Sequence, residues 1–216
     1  MSYLLFPGRH LVNTVFQEQY LKRVFTEKPA SLPGYLPGRA GLRGPPTNIV
    51  FAITSANQEN SRYNPIPFHI RAIGVDRFAR QLQNQFSFRY RIFGIPHYGH
   101  TENFAGFTIK EIELQSEQMI QLTPENCLVL CSTPEVIQLY QRLGFAIAPA
   151  ELAEQNRPPS PIDIVRRIGE CGDQGPDGFV ASNLARSHSS LFEDFPEVPQ
   201  RILRLYQDPL ANRKEA

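Results

Sequence analysis

Residues 3–17 read YLLFPGRHLVNTVFQ, and the change of pattern inside them decides the fold. Tyr3 to Phe6 is a short, continuously apolar run broken at Pro7-Gly8, the pattern of a strand buried on both faces. From about Thr14 the residues Phe16, Tyr20, Leu21 and Val24 fall on one helical face. Strand, tight loop and helix open a βαβ unit, and the chain goes on alternating. Ile49 to Ile53 is a second buried strand, opening into the polar stretch Thr54 to Asn64. Phe68, Ala72, Val75, Ala79 and Leu82 mark a helix, and Phe88 to Ile95 a strand stopped by Pro96. No clear helical period follows His100. Cys127 to Cys131 is a strand, Pro134 starts a helix through Val136, Tyr140 and Leu143, and Gly144 closes it before the short strand Phe145 to Ala148. Helices are expected from Pro161 to Ile168 and from Val198 to Tyr206, with a turn-rich, mobile stretch at Gly169 to Gly178. The fold class is α/β, a doubly wound parallel sheet over residues 1–168, with residues 169–216 a turn-rich segment and a short helical C-terminal part.

Composition narrows the function. In 216 residues Lys and Arg total 22 and Asp and Glu total 21, so the net charge of +1 creates no field for steering onto nucleic acid or an anionic membrane. The longest apolar runs are far short of the ~20 residues of a membrane span. The first residues show neither a basic region nor a cleavage site, so a cytoplasmic protein is expected. Cys127, Cys131 and Cys171 include no C-x-x-C pair. Cys127 and Cys131, four apart on one strand, read as buried structural thiols. Lys28 to Pro46 is rich in proline and glycine, an excursion from the α/β core that suits either a lid or an interface.

In a doubly wound sheet ligands sit beyond the C-terminal strand ends, so the chemistry belongs in the loops after Phe6, Ile53, Ile95 and Cys131. The first of these begins Gly8-Arg9-His10 and runs to Thr14-Val15-Phe16-Gln17. Here the chain resembles the nucleotidylyltransferase superfamily, specifically the archaeal-type nicotinamide mononucleotide adenylyltransferases, which carry G-R-F-x-P-x-H-x-G-H in this place. Gly8 and Arg9 match, Thr14 falls on the first motif histidine, Phe16 on the glycine and Gln17 on the second histidine. The family's next pattern, G-S-A-Q-x-S-x-x-x-x-N-P-F-x-x-x-E-R, is similar to Ser55-Ala56-Asn57-Gln58, Asn64-Pro65-Ile66 and Arg71, with Ile70 in the acidic position. Ile95-Pro96 matches an I-P of the nicotinamide-side wall, and Leu128 to Phe145 has the family's strand, S-x-P, helix and L-G-F layout. Ser160 to Arg166 stands where the family has S-G-T-x-I-R, with Val165 at its arginine and Arg166 one residue on.

The resemblance implies a Rossmann-like nucleotidylyltransferase fold, a homo-oligomer, and adenylyl transfer from ATP with Mg²⁺ to a nicotinamide mononucleotide-like acceptor, releasing pyrophosphate. It implies catalytic roles for Thr14 and Gln17. It assigns Gly8, Arg9, His10, Arg71, Ser160 and Arg166 to the nucleotide, and Ser55, Asn57 and His97 to the acceptor. The departures at Phe16, Gln17, Ile70 and Val165 fall where chemistry is carried, so the alternative is a weak or inactive relative that binds a nucleotide as a sensor or partner protein. Glutamine donates a hydrogen bond but cannot become cationic, a change expected to cost ~10²–10³ in rate. Phe16 is expected to crowd the phosphates where glycine admits them. His97-Tyr98-Gly99-His100 spells H-x-G-H outright. His100 is thus a candidate replacement imidazole beside His97, against the plainer reading of a solvated loop pair. Ser160 to Arg167 also reads as an ordinary capped helix with exposed arginines. A P-loop, a G-x-S-x-G elbow and a metal-binding motif are absent from the sequence.

Overall fold

The computed structural model describes residues 1–59, 61–99, 101–149, 158–171 and 177–208. Its centre is a five-stranded, all-parallel sheet built from β1 (Tyr3–Gly8), β2 (Asn48–Thr54), β3 (Arg89–Ile95), β4 (Cys127–Leu130) and β5 (Ala146–Ala148), in the order β3-β2-β1-β4-β5. The helices are α1 (Val15–Thr26), α2 (Phe68–Gln83), α3 (Phe104–Gln115), α4 (Pro134–Arg142), α5 (Pro161–Glu170), α6 (Gly178–Asn183), α7 (Arg186–Asp194) and α8 (Glu197–Gln207). Alternation along the strands sorts the core. Leu4, Phe6, Ile49 and Phe51 pack against Leu21 and Val24 of α1 and Val75 and Phe78 of α2. Tyr3, Leu5, Val50 and Phe93 face the other way, onto Ile112 of α3 and Ile137 and Tyr140 of α4. The sheet is therefore covered on both faces, a doubly wound, Rossmann-like arrangement. Among the described residues no helix is long and apolar enough to cross a membrane.

A third apolar cluster joins Leu11 and Val12 of the β1–α1 loop and Ile66 and Ile70 to Ile164 and Ile168 of α5, Leu184, Leu191 of α7 and Ile202 of α8. The C-terminal helices thus sit on the outside of α2 and over the first loop, and the expected 168/169 boundary runs through one continuous core. Residues 172–176 of the expected mobile stretch lie outside the described residues.

Four elements depart from expectation, the short helix α6 being one for which no period was read. β1 continues through Pro7 and Gly8, which pair with Ala52 and Ile53; the β4 ladder has already ended at Leu5 opposite Val129, so proline's missing N–H interrupts nothing there. Helix α3 was hidden because its apolar residues do not keep to one face: Ala105, Thr108 and Ile112 are buried while Phe107 and Leu114 are exposed. Helix α7 was hidden because two of its inward positions are the polar residues Ser187 and His188.

The proline- and glycine-rich excursion has a definite structural role. Leu36 bridges antiparallel to Ile147, exchanging bonds of 3.0 and 2.9 Å, and Arg39 N–H donates to Gly144 O at 2.8 Å. A Cβ at Gly38 would collide with the backbone at Ala146 and Gly144. The chain so closes its own β5 edge with a short strap, removing a template for pairing with another molecule. Gly38→Val is expected to lift this strap, lowering stability by about 1–3 kcal/mol. Hydrogen exchange resolved to single residues should then show faster exchange at Leu36 and Ile147.

Candidate functional site

The winding direction of the sheet reverses between β1 and β4, and a cavity of about 390 Å³ opens at that point, beyond the C-terminal strand ends. Its wall takes Gly8, Arg9 and His10 from the end of β1, Thr54 from β2, and Ser132 and Thr133 from β4. Gln17 of α1 and Ser160 and Pro161 at the start of α5 complete the polar side. Helices α1, α4 and α5 so each set a polar residue of their first turn or N-cap on one space, and α3 adds Phe104. Each N-terminus carries unsatisfied N–H groups and roughly half a positive charge. Arg9 also lines the cavity, with its guanidinium donating to Tyr63 O beside it, and no carboxylate lines the cavity among the described residues. Such a wall attracts an anion.

Local sequence fixes each of these ends. Thr14 is the N-cap of α1: its Oγ1 accepts from Gln17 N–H at 3.0 Å, and Gln17 Oε1 accepts from Thr14 N–H at 3.0 Å. The two residues expected to face a triphosphate therefore form a capping box. Thr14 lies under Leu184, to which it bridges, and only Gln17 reaches the cavity, offering its amide NH₂. Phe16 turns aside to lie against Tyr20 with ring centroids 6.0 Å apart, and it does not line the cavity. At α5, Ser160 N–H and Oγ both donate to Asp163 Oδ2, at 3.0 and 2.6 Å. Arg166 stands away from the cavity, exposed and 3.6 Å from Asp163, as a displacement of one residue on a helix requires.

His10 holds a left-handed φ of 49° and sits edge-on to Phe6 and Phe51. Its Nε2 lies 3.0 Å from Phe6 O, and burial brings its pKa down to about 4. The ring is neutral at pH 7, so Nε2 donates to that carbonyl and the imidazole supplies no charge to the cavity.

Arg71 is fully buried behind the wall. Its Nη1 donates to Arg9 O and Thr54 O at 2.8 and 2.9 Å and its Nη2 to Ser55 O at 3.0 Å, so it braces the ends of β1 and β2. Burial lowers its pKa to about 10, which leaves it charged at pH 7.

The three residues expected on the acceptor side meet one another. Ser55, at φ 54°, places Oγ 3.3 Å from His97 Nδ1, and His97 N–H donates to Asn57 Oδ1 at 2.7 Å. Asn64 Nδ2 ties Ser55 O at 3.0 Å and also Gln58 O. This cluster borders the cavity through Thr54 without lining it. His100 lies outside the described residues. Sequence reasoning picked out the loop after Cys131 but not its Ser132 and Thr133 hydroxyls, nor Thr54. Their signal was position alone, directly after a buried strand.

The C-terminal helices hold the first loop in place through a polar joint that had no sequence signature. Asn13 Nδ2 donates to Gly74 O at 3.0 Å, Asn13 N–H to His188 Nδ1 at 3.4 Å, and Ala185 N–H to Asn13 O at 2.9 Å. Gly74 leaves room for this joint, since a Cβ there would lie 2.7 Å from His188 Cε1. His188 is fully buried and its pKa falls to about 3. A histidine kept neutral in the fold but titrating near 6.5 when unfolded stabilises less as pH drops through 6.5, because only the unfolded chain takes up the proton. Between pH 7.5 and 5, His10 and His188 are each expected to remove about 2 kcal/mol. Urea unfolding of His188→Gln at both pH values should show about 2 kcal/mol less pH dependence than the unsubstituted protein; an unchanged slope would remove His188 from the account.

Among the described residues no group of three or more His, Cys, Asp or Glu side chains could hold a metal ion. No protein-family model matches the chain and no curated protein matches it.

Proposed function

We propose that the protein binds a nucleotide through its phosphates in the β1–β4 cavity and acts as a nucleotidylyltransferase-like protein. The reaction would be adenylyl transfer from MgATP to a nicotinamide mononucleotide-like acceptor. The observation that carries this is one cavity at the reversal point of the sheet that is lined by the starts of three helices and by Arg9, and by no carboxylate among the described residues. A phosphate oxygen of the acceptor attacks the α-phosphorus of ATP, the bond to the β-phosphate breaks, and pyrophosphate leaves with Mg²⁺. With no carboxylate in the described wall, Mg²⁺ arrives as part of the substrate. Arg9, the Gln17 amide and the helix dipoles neutralise the phosphates, while Ser55, Asn57 and His97 lie on the acceptor side.

A second reading has its own support. His10 is neutral and Gln17 half-committed to its capping box, so Arg9 is the one full positive charge in the described wall. That favours binding over turnover, as in a nucleotide sensor.

Calorimetric titration with MgATP, then with nicotinamide mononucleotide, followed by a pyrophosphate-release assay, separates the two. Binding with release supports the enzyme, binding without release the sensor, and absence of MgATP binding overturns both. Arg9→Ala is expected to weaken MgATP about 10- to 100-fold, the range for a charge-assisted contact.

A further inference from the structure

The two edges of the sheet are treated differently. The strap at Leu36 closes β5, whereas β3 borders an open groove of about 910 Å³. Hydrogen bonding along β3 shows which groups are left over. On its inner side Arg89 N–H donates to Thr47 O at 3.1 Å and Ile95 O accepts from Ala56 N–H at 3.0 Å. On its outer side Phe88 O and Gly94 O are taken by the side chains of Gln83 and Gln115, at 2.8 and 2.7 Å. Strand residues alternate in the side to which N–H and C=O point, so Tyr90 and Ile92 direct both groups into the groove. Two glutamines thus bracket a window one short strand long.

The side chains around this window set its charge. Arg89 and Arg91 share a face with Phe93 and Ile95, but α3 covers only the latter pair, and both arginines are exposed without a carboxylate partner among the described residues. Asp76, the acidic residue of the groove, is already bonded to Arg80 at 2.8 Å and to the Tyr90 hydroxyl at 2.6 Å. Exposed Met119 forms an apolar shoulder.

We propose that β3 is a docking edge for an extended acidic segment of a partner protein, with carboxylates two residues apart. Its backbone pairs with Tyr90 and Ile92, its carboxylates meet Arg89 and Arg91, and its intervening apolar side chains lie over Ile92 and the Tyr90 ring. A second copy of the chain fits badly. Pairing the two windows antiparallel sets Arg91 of each molecule against Arg91 of the other, a like-charge contact at the centre of the ladder.

The test uses fluorescence anisotropy with a fluorescein-labelled peptide of alternating valine and glutamate, its lysine counterpart, and a glutamate peptide N-methylated at alternate residues. The expected result is saturable binding of the glutamate peptide alone. Binding should weaken at least about tenfold in the R89E/R91E double variant, which should instead take the lysine peptide. MgATP binding should be the same in both proteins, which separates this edge from the nucleotide cavity. Equal binding to the double variant, equal binding of the N-methylated peptide, or no binding overturns the proposal. So does a dimer in sedimentation velocity that the double variant abolishes.

Discussion

A guanidinium with no access to water holds the ligand-facing edge of this protein together. Arg71 lies on α2, yet its hydrogen bonds go to carbonyls of Arg9, Thr54 and Ser55, where β1 and β2 run out and their loops begin. A buried charge is costly unless it is well bonded, and three carbonyl dipoles converging on one group supply that compensation. The arrangement is reciprocal. Carbonyls at strand ends have lost their ladder partners and need a donor, and the left-handed conformation of Ser55 persists because its carbonyl is held by both Arg71 and Asn64. Arg71 therefore shapes the cavity wall from behind.

A second constraint comes from the other end of the chain. The β1–α1 loop is buried at Leu11, Val12, Asn13 and Thr14, an unusual state for a loop, whose polar backbone normally seeks water. Asn13 solves this by bonding to Gly74 and His188, while Leu184 and Ala185 supply a strand-like partner for the backbone. The C-terminal helices thus complete the site from outside the sheet. They do so without lining the cavity beyond α5.

What was legible in the sequence follows from these constraints. Runs such as Ile49 to Ile53 and the period of α2 are statements about burial on two faces or one, and both elements appear close to where they were expected. Ser160 and Pro161 marked the start of α5 because capping is local chemistry. Helix α3 and helix α7 escaped because the first spreads its apolar residues over more than one face and the second buries a serine and a histidine. At the site, proximity to the strand ends was readable and function of the side chains was not. Thr14 with Gln17 reads equally as a phosphate-facing pair and as a capping box, and only the 3.0 Å bonds in both directions show that the box is made. The brace at Arg71 and the joint at His188 depend on partners 62 and 175 residues away in the chain, beyond any local pattern.

The composition of the cavity bears on which of binding and turnover the site serves. Helix N-termini are fixed dipoles, and they attract the phosphates of a bound nucleotide in the ground state as well as in the transition state. Uniform attraction of that kind tightens binding without accelerating transfer. Rate comes from charge aimed at the oxygens on which charge builds up as pyrophosphate departs. On the proposed reading that task in the described wall would fall to Arg9 and the Gln17 amide, since His10 is neutral and bonded to Phe6 O, and Arg71 faces carbonyls instead of the cavity. The site is strong in the features that hold an anion and sparse in those that distinguish a transition state. For that reason affinity and turnover have to be read out on the same sample, since the first can survive with little of the second.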